Sequence, residues 1–504
     1  MDLDHLQKYR ENNRIEAKKA TGGLPGSLWE TYSAFANTSG GVILLGVEEK
    51  KDKTLNPIFL PDPEKLVSEF WATIANRQKI SANILKADDV QIAEAGGKQI
   101  IVISVPRAGR LDKPVCIGMN PFTDSYRRNG EGDYHCTPDE VRSMLRDQAD
   151  ESQDMRPLET MGLEAFSVAS VADYREAYDG AAVKAAGEPI KTASQTDMPT
   201  KAASMIEAAS GKTAGADLTA EEIDFLISIG GAARTEDGEI RPTRAGLLML
   251  GDERYIIREF PNYILDYREN SESDDKNSWT CRFTSADGDW SGNLYDFYQK
   301  VGKRMTDPVT GEPDEEAKEA IMAALANALV HSDYYGRRGI IVRRWTGEVV
   351  IDNPGGLRMT PDEAIEGGVS DPRNAMLIRL FNGIGVGARA GTGVPLIFSL
   401  WEKRGWQTPR LHESYEPERT HIRMAMKKRD DKYKKVTIKS DSQKAAITEF
   451  LWENDFGRTA DFAELLKVGP TRVKKLVHEL ESEGIVTARG GNRNRVYILT
   501  KKEH

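Results

Sequence analysis

The sequence predicts a multidomain α+β protein, and three observations carry that expectation. A chain of 504 residues exceeds what one hydrophobic core usually serves, so about three domains are expected. Strand-like apolar runs mix with helical-period stretches over 1–150 and again over 221–426. From 427 onward, a basic run leads into three short helical segments and a hairpin. Between these regions, 151–220 is rich in Ala, Ser, Thr and Gly and has no sustained period. It is expected to be a linker or weakly packed helices.

Composition narrows the function classes. With 39% hydrophobic and 29% charged residues, the chain reads as soluble and globular, and no apolar run reaches the length of about 18 that a membrane span needs. The N-terminal stretch MDLDHLQKYRENNRIEAKK lacks the apolar centre of a signal peptide. Cys116, Cys136 and Cys281 are far apart with no C-x-x-C spacing, which argues against a disulfide framework or a cysteine-rich zinc site and for a cytoplasmic location. A net charge of −10 gives no global attraction for nucleic acid, so such binding requires local basic patches.

In the N-terminal region, Ser27 and Glu30 have capping-box spacing, and Leu28, Tyr32 and Phe35 recur with helical period. Asn37-Thr38-Ser39-Gly40-Gly41 then leads into the apolar run VILLGV, which suits a strand covered on both faces. The glycines follow a helix C-terminus. Phosphate loops lie before a helix N-terminus, where free N–H groups attract anions. Gly40-Gly41 is therefore expected to be a turn, and chemistry is expected at the strand ends. If RIEAKK is a strand, Glu16 and Lys18 share a face. Glu11 precedes it, and Glu48-Glu49 closes VILLGV. Three converging carboxylates would make an oxygen site for Mg²⁺ or Mn²⁺, which can activate water at a phosphodiester, with Lys18 offsetting phosphate charge.

The string E-x4-E-x-K, then SAFANTSGGVILLGVEE, then YRRNGEGDYHCTPDEVRSML resembles the Schlafen AlbA-2 domain, over about residues 5–148. The resemblance implies an α/β nucleic-acid-binding domain, in some members a metal-dependent endoribonuclease acting on tRNA and rRNA. The family's acidic set falls on Glu11, Glu16 and Glu48, with Lys18 as basic partner. The third acid is usually aspartate, where this chain has glutamate.

In the middle region, a helical stretch carrying Asn327 precedes two strand-like runs, the second ending in Asp352-Asn353-Pro354-Gly355-Gly356. Further on, Gly391-Thr392-Gly393 opens an apolar helix. An asparagine can hold Mg²⁺ and phosphate oxygens, an aspartate can accept from an adenine amino group, and helix-start N–H groups face phosphates. The ordered set resembles the GHKL-like α/β sandwich ATPase domain of RecG-related regulators, over about 225–420. It implies ATP binding by Asn327, Asp352, Gly355, Gly391 and Gly393. The family usually has an acid four positions before the asparagine, where this chain has Ala323. Without that general base, nucleotide sensing is expected rather than fast hydrolysis. For His331 and Asp333, which follow the helix, cap or turn polarity is expected.

In the third C-terminal helix, Val473, Leu476, Val477 and Leu480 form an apolar stripe, leaving Arg472, Lys474 and Lys475 outward. The hairpin carries Arg489, Arg493 and Arg495. That pattern reads as a winged helix-turn-helix, with a groove-reading helix and a basic wing. From Asp441 to His504 there are 11 Lys/Arg against 10 Asp/Glu, so its clustering rather than its net charge is the signal. Two function classes follow. One is a nucleotide-gated endoribonuclease of tRNA-like substrates, as in phage defence. The other is a non-catalytic DNA-binding transcriptional regulator. Either takes RNA or DNA as partner, with paired winged helices favouring a homodimer.

Overall fold

The computed structural model describes residues 3, 6, 9, 11–149, 152–185, 218–270, 279–305, 315–368, 370–387, 393–415, 417–427, 444, 446–448, 450–451, 454, 456–466, 468–482, 485–489 and 495–499. The chain divides into two compact units, 1–429 and 430–504.

The first unit opens with β1 (Ile15–Lys18), then a helix, Ser27–Asn37, then β2 (Gly41–Leu45). β1 and β2 pair in parallel, which the intervening helix permits because it carries the chain back to the same sheet end. Leu28, Tyr32 and Phe35 are fully buried and pack with Ile43, Leu45 and Ile103, so the expected stripe does face the sheet. The helix does begin at Ser27, but without the expected capping box: Gly26 is the cap residue and makes no side-chain bond. Ser27 instead offers its carbonyl to Thr31 Oγ1 at 3.1 Å.

Next come the hairpin β3 (Val47–Glu49) with β4 (Leu55–Pro57), the helix Pro63–Ile74, and β5 (Val90–Ala95) with β6 (Lys98–Val105). The sheet runs β1-β2-β6-β5. A second hairpin, β7 (Tyr126–Asn129) and β8 (Gly132–His135), lies on the Ser27–Asn37 helix. The helix Pro138–Gln148 follows, started by a capping box of Thr137 and Glu140.

Past a small hairpin, β9 (Ala232–Arg234) with β10 (Ile240–Pro242), the second half of this unit is built on six strands: β11 (Leu265–Glu269), β12 (Cys281–Thr284), β13 (Ile340–Trp345), β14 (Glu348–Pro354), β15 (Arg410–Tyr415) and β16 (Glu418–Ala425). Their order is β12-β11-β13-β14-β16-β15. Only β11–β13 is parallel. One face carries Ile340, Val342, Val349, Ile351, Ile422 and Met424 into a core shared with the helices Glu315–His331 and Gly393–Lys403.

Part of the stretch expected as a linker or weakly packed helices contributes to this core. Val168–Ala185 is a helix, and Leu158, Phe166, Val171 and Tyr174 are buried. Tyr174 donates to the Leu380 carbonyl at 2.8 Å. Val171, Tyr174 and Tyr178 do stand at helical spacing, but beyond Tyr178 the run continues in small residues with no further stripe.

Ion pairs tie the two halves of the first unit together. Asp147 receives Arg373 at 2.6 Å and Arg358 at 2.9 Å. Burial works against its charge, yet Arg373 and Arg358 hold its carboxyl below the ordinary value. Arg107 donates to Glu413 Oε1 at 3.0 Å, and Arg146 pairs with Asp333 at 2.8 Å.

The second unit contains the helices Thr459–Leu466 and Pro470–Ser482 and the antiparallel hairpin β17 (Val486–Arg489) with β18 (Val496–Leu499). Its core joins Ile447, Leu451 and Phe462 to Val473, Leu476, Val477 and Leu480.

Candidate functional site

Gly40 takes a left-handed backbone, φ +75°, and its N–H bonds the Phe35 carbonyl at 2.8 Å, closing the helix. A Cβ there would stand 2.8 Å from the Val105 carbonyl oxygen, and one on Gly41 would meet the Phe35 ring at 2.7 Å. The Gly-Gly pair is thus a turn with no room for side chains, as its polarity predicts.

The chemistry lies around β1. Glu16 and Lys18 share a face, with Lys18 Nζ 2.9 Å from Glu16 Oε1. Arg128 of β7 holds the other oxygen, Oε2, at 2.8 Å, and reaches Asp133 at 2.8 Å with its second arm. Glu11 accepts from the Ala17 N–H at 3.0 Å. Burial, then the charges of Glu16 and Glu49, push its carboxyl up to about 7, against the Ala17 N–H and Lys53.

The third carboxylate at this place is Glu49, not the expected Glu48. VILLGV is not one continuous strand. Gly46, at φ +81°, separates β2 from β3, and the phase slips by one residue. In an unbroken strand Val47 would share the face of Leu45. Instead it packs with Leu44. Such a slip exchanges the faces of every later side chain. Glu48 is turned outward and pairs with Lys19, which lowers its pKa. Glu49 faces Lys53 at 3.1 Å through Oε2, and its Oε1 is buried with no hydrogen-bond partner.

Among the described residues, no three His, Cys, Asp or Glu side chains are placed so that together they could hold a metal ion. The donor chemistry fits a hard divalent cation nonetheless. Glu11, Glu16 and Glu49 offer carboxylate oxygens, one of them unpartnered, and their mutual repulsion is what a cation relieves. Arg128 and Asp133, absent from the sequence reading as site residues, lie in the string YRRNGEGD that carries the family resemblance. An arginine in a short polar hairpin gives no periodic signal of its own.

In the second half, Asn327 stands against Gly393, the first residue of its helix. A Cβ on Gly393 would approach Asn327 Nδ2 to 2.6 Å, and that nitrogen is buried without a partner. Bare backbone beside an unsatisfied amide fits a ligand with phosphate oxygens. Gly355 lies at φ +91°, and a Cβ there would meet Arg373 Nη1 at 2.6 Å. Asp352 does not join Asn327. Val349 and Ile351 face the helices, so Asp352, one step out of phase, projects from the opposite face. There it binds Arg343 and, at 2.7 Å, His421 Nδ1. Asn353 is the polar residue of that strand end on the helix side. Gly391 lies outside the described residues. Ala323 is half-buried and brings no carboxylate to the Asn327 helix.

His331 is pushed down to about 4 by burial and Arg373. Asp333 accepts from the Tyr335 N–H at 3.2 Å, the turn polarity expected, and adds the pair with Arg146. In the second unit Lys474 and Lys475 are exposed on the Pro470–Ser482 helix and Arg472 is half-exposed beside them. Arg489 ends β17. Arg495 pairs with Glu481 at 3.2 Å and lies over Tyr497. Arg493 lies outside the described residues.

Comparisons with known proteins agree with these two domains. Residues 11–137 match the family described as Schlafen, AlbA_2, and residues 338–420 match "Putative ATP-dependent DNA helicase recG C-terminal". Residues 206–266 match a domain of unknown function, DUF8451. No curated protein matches. The crystal structure of the DIP2311 protein from Corynebacterium diphtheriae is 16% identical, covering 97% of this chain and 95% of its own, with a TM-score of 0.39. The solution structure of the N-terminal domain of a RecG-related protein from Nitrosomonas europaea is 31% identical, covering 27% of this chain and 90% of its own, with a TM-score of 0.22. Among the described residues, no helix is long and apolar enough to cross a membrane. By these family matches, the chain carries a Schlafen AlbA_2 domain and a domain of the RecG C-terminal family.

Proposed function

We propose that the chain is a nucleic-acid-binding, ATP-responsive protein whose N-terminal domain is a metal-dependent endoribonuclease of tRNA-like substrates. The observation that carries this reading is the Glu11 carboxyl, pushed up to about 7 by burial and then Glu16 and Glu49, beside the unpartnered Glu49 Oε1. Glu11, Glu16 and Glu49 would hold Mg²⁺ or Mn²⁺. When bound, such an ion supplies an activated water and charge stabilisation at a phosphodiester. Lys18 and Arg128 fix the Glu16 carboxylate from two sides. Lys18 keeps further donor capacity for a phosphate oxygen.

Asn327, Gly355 and Gly393, with Asn353 in place of Asp352, would hold ATP. Ala323 provides no general base, so binding without fast turnover is the expected mode. The helix–helix–hairpin order of the second unit, with Lys474 and Lys475 exposed, supports a winged helix that grips nucleic acid.

Cleavage is tested by incubating the purified chain with total tRNA and Mn²⁺ or Mg²⁺. Glu11→Gln, Glu16→Ala and Glu49→Gln should each lower cleavage by about 100-fold or more, the usual scale for groups that hold a catalytic ion. Glu48→Gln should cleave like wild type. Equal cleavage by wild type and Glu16→Ala would sink the site assignment. No cleavage of any RNA class with either metal leaves the second reading, a non-catalytic DNA-binding regulator. That reading is favoured by one observation: both Glu16 oxygens are already occupied, by Lys18 and Arg128. For the nucleotide, Asn327→Ala should lose ATP binding and Asp352→Ala should keep it, as read by calorimetry.

A further inference from the structure

The six-stranded sheet has two unlike faces. One is the apolar face already described. The other carries every second residue of each strand, and six of these are arginines: Arg268, Arg282, Arg343, Arg410, Arg419 and Arg423. Among the described residues of these strands, three carboxylates share that face. Asp266 lies beneath Arg268 and Arg282, Glu348 pairs with Arg423 at 2.6 Å, and Asp352 lies beneath Arg343. Arg419 is buried on the Arg337 and Gly339 carbonyls, whereas Arg268, Arg282, Arg343 and Arg423 remain accessible over their acids. The side chain of Arg282 is 46% exposed and that of Arg423 36%, whereas Asp266 and Asp352 are at 4% and 5%.

The surplus charge is felt within the face. Burial, and then Arg268, lowers the pKa of Arg343. Burial, and then Arg338 and Arg343, lowers Arg419 to about 10. The Nε of Arg343 is buried with no hydrogen-bond partner. Planar groups stand among these cations. His412 and His421 stack at 4.8 Å and 14°. Trp345 ends β13 on the same face, and Trp279 lies 5.4 Å under Arg268.

We propose that this arginine-rich sheet face is a docking platform for single-stranded nucleic acid, with Arg282, Arg343 and Arg423 on phosphates and Trp345 and the His412–His421 pair against bases. Charge complementarity selects a polyanion. The tryptophan and stacked imidazoles select one with unpaired bases, because a duplex keeps its π-faces inside. Six strands span roughly 24 Å across the sheet at the usual interstrand spacing, enough for several nucleotides. A second copy of this face would set arginine against arginine, which repulsion disfavours. The ATP residues occupy the opposite face, and the proposal depends neither on cleavage nor on the C-terminal helix.

The test uses the full chain carrying Lys474→Ala and Lys475→Ala, so that the second unit does not mask the platform. Fluorescence anisotropy is read with a labelled single-stranded RNA, the same sequence as DNA, and its duplex, over a salt series. Adding Arg282→Gln and Arg423→Gln should weaken single-strand binding by about tenfold or more. It should also make the slope of log K against log salt shallower by about 1.4, at ~0.7 per lost phosphate contact on a single strand. Binding of RNA and DNA alike assigns the contact to phosphate and base, and preference for RNA adds the 2′-hydroxyl; both support the proposal. Unchanged affinity and slope, in variants that melt like the parent, would overturn it. So would tighter binding of the duplex, or competition by polyglutamate equal to that of RNA. Photocrosslinking with 4-thiouridine RNA provides a second reading: adducts should include the peptide containing Trp345, and adducts confined to other regions refute the platform. Failure of tRNA cleavage leaves both readouts untouched.

Discussion

Glu11 is the residue whose protonation reports the carboxylate cluster. In the folded chain burial, and then Glu16, raise its pKa from the ordinary 4.5 to about 7. Between those values the folded state binds more protons than the unfolded one, so this group's contribution to stability falls as pH rises through that window. Glu11→Gln should flatten the dependence. Denaturation followed by the fluorescence of Trp29 and Trp71, which pack in the N-terminal core, should differ less between pH 5 and pH 8 in the variant than in wild type. A divalent cation requires the ionised form. Mn²⁺ affinity should therefore climb from pH 5 to pH 7 and level off above it. A flat profile would remove Glu11 from the cation site. Glu48, outward on Lys19, should have no effect on either measurement.

At the scale of single elements, backbone phase decides which neighbour of a pair does the work. Gly40→Ala places a Cβ 2.8 Å from the Val105 carbonyl oxygen at φ +75° and should cost about 1–3 kcal/mol, read by urea denaturation of the N-terminal domain signal. That turn was legible in the sequence, because a helix stripe, a polar end and a glycine pair mark it. The slip at Gly46 was not. A strand covered on both faces shows no alternation, so VILLGV gives no hint that its last glycine resets the count. Asp352 and Asn353 pose the same problem. Both are polar neighbours at a strand end, and only the burial of Val349 and Ile351 separates their faces. The Val168–Ala185 helix was hidden for another reason: its stripe of Val171, Tyr174 and Tyr178 is short and runs into a long segment of small residues with no sustained period. Strand periodicity grouped Glu16 and Lys18, and the E-x4-E-x-K resemblance added Glu11 just before them. Neither that periodicity nor that string reaches Arg128, more than 100 positions away.

At the scale of the first unit, the joints between its halves are ion pairs across long stretches of chain, such as Asp147 with Arg373, 226 positions apart. No local pattern announces them. Asp147→Asn would leave Arg358 and Arg373 largely buried without their shared counter-charge, and removing one partner of a buried pair costs about 3–5 kcal/mol. The expected result is a lower melting temperature and faster proteolysis near 149–152, with the second unit's melting unchanged. Arg373 has a further consequence. Its guanidinium touches both Asp147 of the N-terminal half and the Gly355 turn of the nucleotide half. Two binding events that bear on one side chain are bound by reciprocity: if ATP alters cation or RNA affinity by some factor, cation or RNA must alter ATP affinity by that same factor. A thermodynamic cycle of four affinities, measured in wild type and in Asp147→Asn, would show how much of that coupling passes through one arginine.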